Sequence, residues 1–124
     1  MMFGLKPSHI NAINNCFEKC NSIERVIVYG SRAKGNYKPG SDIDLTIVDK
    51  EMSYGELLKL ENQLDDLLLP YKIDLSLKRQ ISNPELLAHI ERVGKTFYDK
   101  VSQNILNETP SEYKPQAAKK KKDK

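Results

Sequence analysis

An apolar run broken by two acids, Asp42-Ile43-Asp44-Leu45-Thr46-Ile47-Val48, constrains this chain more than any other segment. Side chains alternate across a strand, so Ile43, Leu45 and Ile47 share one face while the two carboxylates share the other. Folding alone does not select like charges placed together. A hard divalent cation such as Mg²⁺ turns their repulsion into shared coordination, and the pair reads as half of a metal site.

The preceding segment supplies a second element. Arg25-Val26-Ile27-Val28-Tyr29 is a β-branched strand that stops at Gly30-Ser31-Arg32-Ala33-Lys34-Gly35. Gly30 permits a tight exit, and Ser31 to Lys34 form a helical turn that Gly35 ends. Backbone N–H groups at such a helix start, with the Ser31 hydroxyl and the cations Arg32 and Lys34, suit phosphate oxygens. The turn-rich Asn36-Tyr37-Lys38-Pro39-Gly40-Ser41 then folds the second strand back beside the first. A third alternating strand, Tyr71-Lys72-Ile73-Asp74-Leu75-Ser76-Leu77, buries Tyr71, Ile73, Leu75 and Leu77 and leaves Asp74 on the polar face. If it neighbours the second strand, Asp42, Asp44 and Asp74 converge, with Asp74 suited to take a proton from an attacking hydroxyl.

Tyr29-Gly30-Ser31, ten intervening residues, Asp42-Ile43-Asp44-Leu45, and then Ile73-Asp74-Leu75 resemble the signature of the DNA polymerase β nucleotidyltransferase superfamily. The strings Gly30-Ser31-Arg32-Ala33-Lys34-Gly35 and Ser41-Asp42-Ile43-Asp44-Leu45 resemble its smallest branch, the minimal nucleotidyltransferase (MNT) proteins. The likeness spans roughly residues 8 to 99, including Ile90-Glu91-Arg92-Val93-Gly94 and Phe97-Tyr98 at its end. It implies an α/β (α+β) polymerase β-like fold, a small mixed sheet flanked by helices. It further implies ATP as co-substrate and two Mg²⁺ ions on Asp42, Asp44 and Asp74, with the triphosphate at Gly30, Ser31, Arg32 and Lys34. The implied partner is a helical HEPN ribonuclease toxin, a tyrosine of which receives AMP, so that the chain serves as antitoxin of a type VII-like toxin–antitoxin pair. Transfer to a small molecule such as an aminoglycoside, and inhibition of a partner by binding alone, stand as alternatives.

At 124 residues the chain buries about two-thirds of the surface its unfolded form exposes, which leaves no room for a separate acceptor domain. Residues 1–100 are expected to form the catalytic domain and residues 101–124 a disordered lysine-rich tail. From Asn107 onward lie six lysines and three acids, so the remaining body balances 14 cations against 14 acids. The net charge of +3 therefore resides in the tail, and the body is not expected to bind nucleic acid directly. With no apolar run long enough for a membrane span and no secretory signal, a cytoplasmic protein is expected. Cys16 and Cys20, four apart on a helix, are expected to remain reduced.

Helices are expected over about Ser8 to Asn21 with Ser8 as N-cap, from the capping box at Ser53 to Glu56 until Pro70, and from a second box at Ser82 to Glu85 until Gly94. A Lys95–Tyr98 edge strand completes the sheet. His9 and His89 are expected on helices away from the acids. Self-association and assembly around a dimeric partner both stay open.

Overall fold

The computed structural model describes residues 2–100, and the tail expected over residues 101–124 lies outside them. Four strands form one mixed sheet: β1 (Ile23–Tyr29), β2 (Ile43–Asp49), β3 (Ile73–Leu77) and β4 (Lys95–Asp99), in the order β3-β2-β1-β4. Strand β1 pairs antiparallel with β2 and β4, whereas β2 and β3 run parallel. A parallel pair needs a crossover, and α3 (Tyr54–Asp65) provides it.

The alternation in the strands decides the two faces. Ile43, Leu45 and Ile47 are fully buried and join Val26, Val28 and Leu77 in the main core, roofed by Ile13 and Phe17 of α1 (Pro7–Glu18) and Leu60 and Leu64 of α3. Each fully buried aliphatic side chain contributes about 1.5–3 kcal/mol relative to exposure. Tyr29, Asp44, Thr46, Asp74 and Ser76 point to the opposite face. There α4 (Pro84–Val93) covers part of β1, its terminal Gly94 packed so closely on Ile27 that a Cβ would meet Ile27 Cγ2 at 2.8 Å.

Helix boundaries follow local chemistry, with three departures from expectation. Pro7 takes the first position of α1 and Lys6 the N-cap, so Ser8 lies inside the helix; proline suits that position because its missing N–H has no intrahelical partner there. Helix α3 has the expected box, with Ser53 Oγ accepting from the Glu56 N–H and the Glu56 carboxylate accepting from the Ser53 N–H. It ends at Asp65, before Pro70, as the chain turns through Leu68 at φ 55°. Helix α4 is capped by Asn83, whose side chain accepts from the N–H groups of Glu85 and Leu86, and no Ser82 box forms. Cys16 is buried, Cys20 half-buried, and both are free thiols. No helix among the described residues is long and apolar enough to cross a membrane.

Candidate active site

Strand register assembles the acidic row. Tyr29 of β1 lies opposite Asp44 of β2, and Asp44 lies opposite Asp74 of β3, so one rung of the sheet carries a phenol and two carboxylates. Asp42 lies just before β2 in an irregular segment and is exposed. Asp44 is half-buried while Asp74 is exposed at the edge strand. Burial, then the charges of Asp74 and Asp42, push the Asp44 carboxyl above the usual range, and His89 opposes them. Asp44 thus feels the charge of both other acids. Among the described residues no three ligating side chains close into a ready metal cage, and Asp74 and Asp42 act on Asp44 through their charge. An all-oxygen donor set of mutually repelling carboxylates fits a hard divalent cation, which removes that repulsion on binding.

The tight approach to this row explains Gly30. It takes φ +73°, and its Cα rests against Asp44 so closely that an added Cβ would collide with Asp44 Oδ2. A positive φ and an absent side chain are both required, and only glycine meets them without strain. Helix α2 (Gly30–Lys34) follows at once and closes at Gly35, φ +90°, whose N–H donates to the Ser31 carbonyl at 2.9 Å. Ser31 is half-buried at the start of this turn, and Lys34 is exposed at its end. Lys95 Nζ donates to the Ala33 carbonyl at 3.2 Å, tying α2 to β4.

Two side chains stand elsewhere than expected. Arg32, expected at the triphosphate, is 2% exposed and turned away from solvent; its guanidinium donates to the carbonyls of Ser41, Phe3 and Pro39. Four of its five N–H donors are directed at backbone carbonyls, so this side chain is engaged in holding the protein's own backbone. His89, expected away from the acids, reaches the site: its Nε2 accepts the Gly30 N–H at 3.2 Å, and its ring meets Tyr29 edge-on with centroids 6.2 Å apart. One of the N–H groups expected to face phosphate is therefore occupied. A signal for His89 existed in the sequence, since it is three residues after Leu86 and four before Val93, on the stripe that α4 turns inward. His9 does lie apart from the row, its Nδ1 3.2 Å from the Tyr71 hydroxyl.

Behind the row, Ser76 Oγ donates to Thr46 Oγ1 at 2.9 Å, which pairs the next polar rung of β2 and β3. Burial and the Asp44 charge raise the Tyr29 phenol above its ordinary value, while a hydrogen bond with Ser76 opposes them. Asp42 and Asp74 leave the two ends of the row exposed to solvent. A groove of about 570 Å³ between α3 and β3, lined by Leu64, Leu68, Ile73 and Leu75, lies toward the other face and carries none of the acidic row.

A carboxylate row on the polar face of a small mixed sheet, with a glycine-opened turn packed directly against its central member, is the arrangement expected from the sequence on a polymerase β-like fold. The sequence profile of the family described as polymerase beta, nucleotidyltransferase matches residues 11–103, and the chain belongs to this family of enzymes. Two proteins of Methanocaldococcus jannaschii assigned as protein adenylyltransferases, MJ1217 and MJ0126, are 40% and 39% identical to it over 70 residues, 56% of this chain and 70% of each relative. Among solved structures, a toxin–antitoxin complex with AMP-PNP aligns with a TM-score of 0.59 at 19% identity, covering 82% of this chain and 80% of that one. A complex of the tri-AMPylated Shewanella oneidensis HEPN toxin with MNT antitoxin aligns with a TM-score of 0.57 at 17% identity, covering 82% and 79%. At these identities the solved structures speak for the fold.

Proposed function

We propose that this chain transfers AMP from ATP to a tyrosine hydroxyl of a cognate HEPN-type ribonuclease and thereby acts as its antitoxin. The observation that carries the reading is the in-register pairing of Asp44 with Asp74 on adjacent parallel strands, with Asp42 just upstream and Gly30 packed against Asp44. Asp42, Asp44 and Asp74 would hold Mg²⁺, two ions in the full reading. When bound, that metal neutralises phosphate charge and lowers the pKa of an attacking hydroxyl.

Each residue then has a distinct task. Gly30 brings the backbone of α2 close to Asp44, so that Ser31 and the turn behind it face the β- and γ-phosphates, with exposed Lys34 as their counter-charge. Asp74, exposed at the edge of the row, accepts the proton of the incoming tyrosine hydroxyl. The hydroxyl oxygen bonds to the α-phosphorus as the bond from that phosphorus to the bridging oxygen breaks, and pyrophosphate leaves with the electron pair. His89 fixes Gly30 and the edge of Tyr29, and so holds the turn against the row.

With Asp42 and Asp74 exposed, the row is accessible to a macromolecular acceptor that brings its own surface. The assignment of the Methanocaldococcus jannaschii relatives as protein adenylyltransferases supports a protein hydroxyl, and the MNT–HEPN complexes among the structural neighbours support the partner class. Incubating the purified chain with ATP, Mg²⁺ and its cognate partner should add one or more AMP masses to a tyrosine peptide of that partner. An unmodified partner, or equal modification by Asp44→Asn, would refute the reading.

A further inference from the structure

We infer that Arg32 is a positioning residue for Asp42, holding the loop that presents this carboxylate from inside the protein. Asp42 lies outside β2 and so has no ladder to fix it. What precedes it is fixed. Arg32 Nε and Nη2 donate to the Ser41 carbonyl at 3.2 and 2.9 Å, and Nη2 also approaches the Pro39 carbonyl at 3.4 Å. Within the same loop the Ser41 N–H donates to the Lys38 carbonyl at 2.9 Å, and the Lys38 N–H donates to Ser41 Oγ at 2.8 Å, which makes residues 38–41 a closed turn.

The other side of the guanidinium is anchored to a segment far away in sequence. Nη1 donates to the Phe3 carbonyl at 3.0 Å. Phe3 takes φ 56° and Gly4 φ 72°, an uncommon pair of left-handed residues, and a Cβ on Gly4 would run into the Tyr37 ring. The guanidinium carbon lies 5.2 Å from the Tyr37 ring centroid and 4.9 Å from that of Tyr71, and Tyr71 in turn meets His9. Among the described residues no carboxylate is ion-paired with Arg32. Burying a cation without a counter-ion costs several kcal/mol, and carbonyl acceptors with two aromatic faces offset that only if the geometry is kept. Arg32 follows Gly30 by two residues and grips the residue before Asp42, so one side chain couples the turn that abuts Asp44 to the loop that delivers Asp42. The fork places donors on three separate nitrogens at fixed spacing, with Nε and Nη2 on Ser41 and Nη1 on Phe3, and lysine's single ammonium nitrogen does not reproduce that spread.

This inference rests on the proposed role of Asp42 in holding a divalent cation, and Mn²⁺ serves as the probe that separates the two. Binding of Mn²⁺ alone is followed by electron paramagnetic resonance, and binding of ATP in EDTA by calorimetry, for the full chain and for Arg32→Ala, Arg32→Lys, Asp42→Asn and the Arg32→Ala/Asp42→Asn double variant. Removing the support of a metal ligand costs about 10–100-fold in metal affinity. Arg32→Ala should therefore weaken Mn²⁺ by about tenfold or more, Arg32→Lys should not restore it, and the double variant should be no weaker than Asp42→Asn, because both remove the same ligand. ATP affinity in EDTA should change by less than about twofold, since Arg32 touches no phosphate. A large loss of metal-free ATP binding with Mn²⁺ affinity unchanged would overturn the inference, as would additive losses in the double variant. If Asp42→Asn leaves Mn²⁺ binding intact, the metal reading fails first and the inference falls with it. Should the Arg32 variants not fold, the wild type still decides: its Arg32 Nε–H resonance should exchange slowly and stay in place when ATP is added in EDTA, and a shift as large as that of the Ser31 amide would refute the assignment.

Discussion

Strand β2 carries an aspartate near each end, and the two could hardly be treated more differently. At its end, the Asp49 carboxylate accepts from the Met52 N–H at 2.8 Å and from Arg79 Nε at 3.0 Å, and Arg79 Nη2 also donates to the Met52 carbonyl at 2.8 Å. Burial alone would raise the Asp49 carboxyl, but these bonds, the Met52 N–H first, bring it below the usual range. Five residues earlier, Asp44 has no bonded donor among the described residues; burial and two acidic neighbours raise it. One end of the strand is satisfied and serves the fold. The other is left frustrated, with an interaction still to be made, and that is the physical mark of a ligand-holding group.

The largest expected effect tests the frustrated end. Asp44→Asn should lower nucleotidyl transfer on the order of 10³-fold, since a metal-held transition state is worth several kcal/mol. The metal-free protein should not lose melting temperature, because the substitution removes a repelled charge. Activity near wild type, or a clear drop in melting temperature, would erase the contrast with Asp49. Gly30→Ala should come next, with turnover falling about 10²-fold as its methyl displaces the Asp44 carboxylate, given what an ~1 Å misplacement costs. Steady-state rates on the same acceptor settle this, and an unimpaired alanine variant would show that the close approach to Asp44 is unimportant.

At the satisfied end the effect moves from activity to stability. Asp49→Ala should cost about 1–3 kcal/mol in urea unfolding while turnover per folded molecule is retained, because a buried Met52 N–H and a half-exposed Arg79 lose their partner. A pH series gives the smallest and sharpest distinction. Asp49 is lowered in the folded state, so the stability it contributes is present above the ordinary carboxylate pKa and is lost as pH falls through the folded value. Asp44 is raised, so the folded protein retains a proton there that the unfolded chain has released, and stability declines as pH climbs from the ordinary carboxylate pKa through the folded value. Without metal, Asp44→Asn should remove that decline and Asp49→Ala the acid-side loss. Identical pH slopes for the two variants would mean the two ends are electrostatically alike after all.

The acidic row, though not this contrast, could be read from the chain. The Asp42-Ile43-Asp44 alternation, the Gly30-Ser31 element and the Asp74 strand marked the acidic row, and the parallel β2–β3 register places Asp44 and Asp74 opposite each other. The Ser53–Glu56 box was equally visible, because a cap is decided within four residues. Arg32 and His89 have partners that the sequence did not announce, for a common reason. A cation in a glycine-flanked turn beside expected phosphate looks like a phosphate contact, and nothing near Arg32 in sequence announces that Phe3 will offer it a carbonyl from 29 residues away. Helical spacing sets His89 beside Leu86 and Val93 of α4, but nothing nearby in sequence points to its partner Gly30, 59 positions distant.

Local order thus belonged to the chain itself: strand alternation, the caps and the glycine-bounded turn depend on neighbours a few residues apart, where spacing is set by covalent geometry. The tertiary structure alone decided which aspartate of β2 is bonded and which is left repelled, which way Arg32 turns, and that a histidine from α4 closes on Gly30. Those outcomes depend on which carbonyls and N–H groups lie across the packed sheet and helices, and a polar group leaving water goes to whichever partner the packing brings within about 3 Å.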